Sequence, residues 1–321
     1  MSGEPGRKKG VAAFWKWVGG ISALLSLLFA LQQVASMLSD VGERQRHIAE
    51  LERIARQQQA SADYQGAWSS YEQALEAAQA GGQLAKMTGQ LDTERRRLRE
   101  AQEGLAMQWL ENLRLPDGKK FSDVIGELVA VIHRGAVGAQ GVRKADLLAH
   151  LGWADFLRWR DGNRALRPER RYREALATDP GNPYAHAYRG HWMLWRREGM
   201  EEALWYFEAA FAANRARELV RQIQLAALGN LMSEGDGAYL AAVADMRRSG
   251  EPIDARILSR VNSIYYTACA RRPDAERQAR LLAAVPAAEQ FALLEALLGE
   301  SHPWHASLAA CRAWLRKAAG I

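Results

Sequence analysis

Residues 172–214 read YREALATDPGNPYAHAYRGHWMLWRREGMEEALWYFEAAFAAN, and the reading of this stretch decides the fold. Asp179-Pro180-Gly181-Asn182-Pro183 cannot continue a helix, because proline lacks the backbone donor and pushes the residue before it out of the α region. Pro183 suits the first turn of a new helix, where its missing N–H would be unbonded anyway. Gly199 then gives a second break. The stretch therefore contains the end of one helix, a tight turn, a second helix and a third.

The offsets of small and large residues recur. Ala203, Phe207 and Ala210 stand in the third helix, and Ala67, Tyr71 and Ala74 repeat the same spacing far upstream. Leu148, Leu151 and Gly152, followed by Tyr172, Ala175 and Pro180, fit an earlier unit, and Leu51, Ile54 and Ala55 head another. Small residues at such positions let two helices approach, and an aromatic fills the crossing. In these positions the chain resembles a tetratricopeptide repeat (TPR) protein. The resemblance implies an all-α chain, a TPR-like α-solenoid of antiparallel helix pairs, with the first helix of each pair lining a ligand groove. The pattern is broken in three places. Asp155 replaces an aromatic, His186 replaces a large residue, and about four extra residues lie between Gly152 and Tyr172.

Composition agrees with a helical chain. Of 321 residues 48% are hydrophobic and 25% charged, with nine prolines and few alternating β-branched runs. Net charge is +6, split evenly at +3 for residues 1–39 and +3 for the rest, which disfavours general nucleic-acid binding. Cys269 and Cys311 are the only cysteines, give no disulfide framework or metal spacing, and read as two small buried side chains.

Residues 1–10 form a flexible basic N-terminus, and residues 11–39 form a single transmembrane helix preceding the solenoid. No charge lies between Lys16 and Asp40, and the 21 residues from Val18 to Leu38 match the roughly 20 needed to cross a bilayer. Trp15 and Trp17 sit at the interface end. Four flanking basic residues (Arg7, Lys8, Lys9, Lys16) against three (Arg44, Arg46, Arg53) place the N-terminus inside a bacterial inner membrane and the large domain in the periplasm. Two other readings stand beside the anchor. One is a cleaved signal peptide, leaving a mature periplasmic chain starting near Met37; the other is a buried core helix.

The remaining chain divides into three segments. Residues 40–115 hold an N-terminal TPR-like unit and a long charged helix whose run 94–100 reads as a solvated face paired at i,i+4. Residues 116–250, opened by the turn at Pro116-Asp117-Gly118, hold the central repeats, with the glycine-rich 135–141 as a linker. Residues 251–321 hold helical pairs opened by Pro252, Pro273, Pro286 and Pro303, which cap the solenoid with Arg312, Arg316 and Lys317 exposed.

No catalytic constellation, phosphate loop or zinc spacing appears, so no enzyme, cofactor or metal is expected; a hydrolase-type activity is the third-ranked reading. The resemblance implies a scaffold or adaptor that binds a protein partner, and a hydrophobic floor with an arginine rim suits an acidic or amphipathic segment. Carried over by position, Trp153, Phe156 and Leu157 from one repeat and His191, Leu194 and Trp195 from the next face the groove. The segment 158–173, RWRDGNRALRPERRYR, supplies seven arginines beside it, Arg158 and Arg170 among them. Trp153, Trp192 and Trp195 read equally well as packing between repeats. Ala149 and Ala187 stand at lysine-type positions of the chaperone-tail clamp, and Trp153 and His191 where asparagine belongs. A chaperone-tail function is therefore not implied.

Overall fold

A computed structural model describes residues 41–80, 90–115, 118–271 and 273–321, with Phe29, Gln32, Gln33, Ser36 and Ser39. Most of the membrane segment read at 11–39 lies outside the described residues. The five described positions within it are helical and exposed. Among the described residues there is no strand, and no single helix is long and apolar enough to cross a membrane. The chain is all-α and falls into two compact units, 1–113 and 114–321. The helical pairs of 251–321 therefore belong to the same unit as the central helices.

The first unit contains α1 (residues 41–60), α2 (Tyr64–Gln79) and α3 (Gln90–Glu111). Each buries residues three or four apart, as an amphipathic helix must: Ile48, Leu51 and Ala55; Ala67, Tyr71, Ala74 and Ala78; Leu98, Gln102, Ala106 and Leu110. Asp63 caps α2 by accepting from the Gly66 N–H at 3.0 Å. The charged run of α3 does more than face solvent. Arg97 pairs with Glu94 three residues back and donates at 2.6 Å to the buried Glu52 of α1, while Arg95 Nε donates to the Ala78 carbonyl ending α2.

The second unit opens with α4 (Phe121–Val124) and α5 (Gly126–Gly138). The segment 135–141 is not a linker: α5 runs through it to Gly138 and buries Gly135 and Ala136, and the chain turns only at 139–140. Then follow α6 (Gly141–Arg160), α7 (Pro168–Thr178), α8 (Pro183–Arg196) and α9 (Met200–Ala212). The turn between α7 and α8 forms as its sequence demands. Asn182 is the N-cap, accepting from the Ala185 N–H at 2.9 Å, and Pro183 occupies the first helical position. Asn182 also donates to Asp146 at 2.6 Å, and Arg215 clasps Asp146 and Asp179. Three distant segments thus close on one buried amide.

Two glycines set the helix approaches. A Cβ on Gly152 would lie 2.5 Å from the Tyr172 ring, and one on Gly190 would lie 2.9 Å from the Ala203 carbonyl oxygen and 3.1 Å from the Phe207 ring. These contacts make α6–α7 and α8–α9 antiparallel hairpins. Pro168, Tyr172 and Ala175 in α7 are buried at the same offsets as Ala203, Phe207 and Ala210 in α9.

The rest of the unit contains α10 (Arg217–Asn230), α11 (Asp236–Ser249), α12 (Ala255–Tyr265, continuing into a π-helical turn Tyr266–Ala270), α13 (Ala275–Ala284), α14 (Ala287–Leu298) and α15 (Ala309–Ala319). The prolines precede these helices rather than opening them. Asp254 and Asp274 accept from the first-turn N–H groups and so fix the starts of α12 and α13. Arg312 is not exposed. It is buried, donating to Glu295 and to the His305 carbonyl, both at 2.6 Å. At the break before α11, Asp236 is fully buried and held by Arg260 at 2.9 Å and by Arg277. Cys269 and Cys311 are buried as expected, but they are joined in a disulfide, with Cα atoms 5.3 Å apart, that ties the π turn to α15.

Candidate functional site

Four side chains of α6 at three-residue steps, His150, Trp153, Phe156 and Trp159, face α8 and meet Tyr184, Tyr188, His191, Trp192 and Trp195. Trp153 stacks on Tyr188 with centroids 4.8 Å apart, Phe156 meets His191 edge-on at 4.9 Å and Trp195 at 5.5 Å, and Trp159 meets Trp192 at 5.0 Å. Offset and edge-to-face pairs of this kind contribute about 0.5–1.5 kcal/mol each beyond burial. The arrangement is a continuous aromatic seam joining one hairpin to the next.

The seam contains most of the residues read as groove-facing. Phe156, Leu157, His191 and Leu194 are buried, Trp153 is half-buried, and Trp195 is exposed at 36%. Trp153, Phe156, His191 and Trp195 come together; Arg158 and Arg170 do not join them. The Arg158 charge acts on Asp155, whose carboxyl is raised by burial against the opposing Arg171 and Arg158, and the exposed Arg170 pairs with Glu174 at 2.9 Å. Burial, with a smaller push from Arg160, lowers the His191 imidazole to about 4, so His191 is neutral and its Nδ1 has no partner.

The second feature lies on another face of α8. Residues 188, 191 and 195 point into the seam, whereas 189, 193 and 196 stand roughly 100° or more away around the helix. There an open concavity of about 800 Å³ lies between the loop after α6, α7, α8 and the start of α9. Its apolar lining is Trp159, Leu166, Trp192 and Met193, and five arginines oppose three glutamates around it.

Few of these guanidiniums meet a carboxylate. Arg164 lies 3.7 Å over the Trp159 ring and Arg189 lies 4.6 Å over Tyr206. Arg167 donates to the carbonyls of Arg164 and Leu166. The exposed Arg173 makes no hydrogen bond or ion pair among the described residues. Only Arg196 is paired, to Glu198 at 3.1 Å, while Glu169 accepts from the Trp192 indole at 2.9 Å.

The signal for this concavity was present in the sequence as the extra residues between Gly152 and Tyr172. They become the loop 161–167, seven residues long, where the next hairpin needs only 197–199. That loop supplies Arg164, Leu166 and Arg167. Arg189, Met193 and Arg196 from α8 carried no comparable sequence signal. Among the described residues no group of three or more His, Cys, Asp or Glu side chains is arranged to hold a metal ion. No family model, curated protein or solved structure matches the chain.

Proposed function

We propose that the chain is a membrane-anchored, TPR-like α-solenoid scaffold that captures a protein partner on the surface around α6, α7 and α8. The observation that carries this reading is the aromatic seam whose rim ends in exposed Trp195, flanked by the arginine-rich segment 158–173. Half-exposed aromatics beside arginine forks are the residue types that dominate protein–protein binding energy. The buried small–large–small triplets at 67/71/74, 168/172/175 and 203/207/210 support the repeat architecture. Phe156, Leu157, His191 and Leu194 act in this reading as the rigid floor that orients Trp195 and Trp153. An acidic or amphipathic segment is the complementary partner. The disulfide supports an oxidising, periplasmic location for residues 114–321, since such bonds persist where thiols are not kept reduced.

The test is capture by the full-length protein in mild detergent. Trp195→Ala with Arg170→Glu alters two exposed side chains, so helicity by circular dichroism stays unchanged while the co-purifying partner falls at least tenfold. A partner retained at wild-type stoichiometry by the double variant refutes the surface. The alternative of a periplasmic adaptor released by signal cleavage differs only at the N-terminus, and the intact mass of the membrane-fraction protein separates the two.

A further inference from the structure

We propose that the concavity between α7, α8 and α9, which borders the aromatic seam and shares Trp159 and Trp192 with it, is a binding site for an organic phosphate, a phosphomonoester head carried on an apolar or aromatic body. The first argument is charge. Five arginines against three glutamates leave a formal excess of two positive charges, and a phosphomonoester near neutral pH carries about −1.5 to −2. A monocarboxylate leaves that excess half-neutralised.

The second argument is donor geometry. The N–H groups of Arg173 have no acceptor among the described residues, and Arg164 and Arg189 lie against ring faces that leave their edges open. A guanidinium edge presents paired donors that match two phosphate oxygens. Arginines of a merely solvated loop would come from one segment. Here they converge from the 161–167 loop, α7 and α8.

The third argument is the remainder of the lining. Trp159, Trp192, Leu166 and Met193 give an apolar wall, and an open concavity of about 800 Å³ has room for a small organic molecule rather than only a bare ion. The loop that supplies Arg164, Leu166 and Arg167 is four residues longer than its counterpart at 197–199. The packing of α6 on α7 does not require that length, because α8 and α9 pack without it.

The experiment is isothermal titration of full-length protein in a non-ionic detergent with phenyl phosphate, inorganic phosphate and phthalate. Phenyl phosphate is expected to bind saturably at one site and to weaken as salt rises, with inorganic phosphate at least tenfold weaker. Arg173→Ala with Arg189→Ala should lower affinity for phenyl phosphate at least tenfold with the fold retained, since neither side chain is in an ion pair and the one interaction lost among the described residues is the modest contact of Arg189 with the Tyr206 ring. Replacing the same two residues by lysine keeps the charge and loses the fork, and should weaken binding several-fold. No saturable binding, or equal binding by the alanine variant, overturns the proposal. Phthalate binding as tightly as phenyl phosphate overturns the phosphate class. Dioctanoyl phosphatidic acid displacing phenyl phosphate would support the site and identify its source as a lipid headgroup; failure to displace would support a free small molecule.

Discussion

A single imidazole shows how burial converts a side chain into a pH-sensitive strut. His191 sits among Trp153, Phe156 and Trp195, and its folded value of about 4 lies below its ordinary 6.5. The unfolded chain therefore binds the proton more tightly. Stability from this residue is fully present above pH 6.5 and is lost as pH falls from there towards 4. The loss is on the order of 3 kcal/mol. His191→Phe keeps the ring contacts and removes both the titration and the partnerless Nδ1. Urea unfolding at pH 7 and pH 4.5 should show the variant losing markedly less stability than wild type, and parallel losses would contradict this. At this scale the sequence was informative about type and silent about partner. The resemblance put Trp153 and Phe156 on the groove face, but position in a repeat names a face without saying whether it meets solvent or another helix. Here it meets α8, and Phe156 and His191 are buried in consequence.

Helices and their breaks were legible where local chemistry decides them. The turn at 179–183 and Pro183 in the first turn of α8 follow from residues within a few positions of one another. What holds a break together was not legible where a distant charge decides. Gly235 and Gly237 mark an interruption in the sequence, and the helix does stop before Asp236, but nothing local says that Asp236 at the start of α11 draws Arg260 from α12 and Arg277 from α13 into one buried clasp. Removing one partner of such a cluster leaves charge without compensation. Asp236→Ala should therefore cost about 3–5 kcal/mol in urea unfolding. A cost below about 1 kcal/mol would mean that the two arginines find solvent or other acceptors. The buried Arg221 of α10 works in the same way, donating to Glu251 at 3.0 Å and pairing with Asp245 of α11. Burial alone would raise Glu251, but hydrogen bonds and charge from Arg221 and Arg217 outweigh it and hold the carboxyl below its usual value.

For the whole molecule, the sequence made the all-α class plain and left the long-range link unread. Cys269 and Cys311 are 42 residues apart, and nothing in that separation says that the π turn and α15 meet. A bond closing a loop of that size stabilises by about 4 kcal/mol through the unfolded chain. Reduction should accordingly speed amide hydrogen exchange in α12 and α15 while leaving α1–α3 unchanged, since those helices lie in the other unit. Exchange that is indifferent to reductant would remove the bond from the stability account. The link also changes what a cut means. A protease that nicks the backbone anywhere between Cys269 and Cys311 leaves two pieces on one covalent graph, running as full length until a reductant separates them. An unfolding motor pulling from the C-terminal end of α15 meets a closed ring at Cys311 and must draw in the backbone beyond it together with both arms of Cys269.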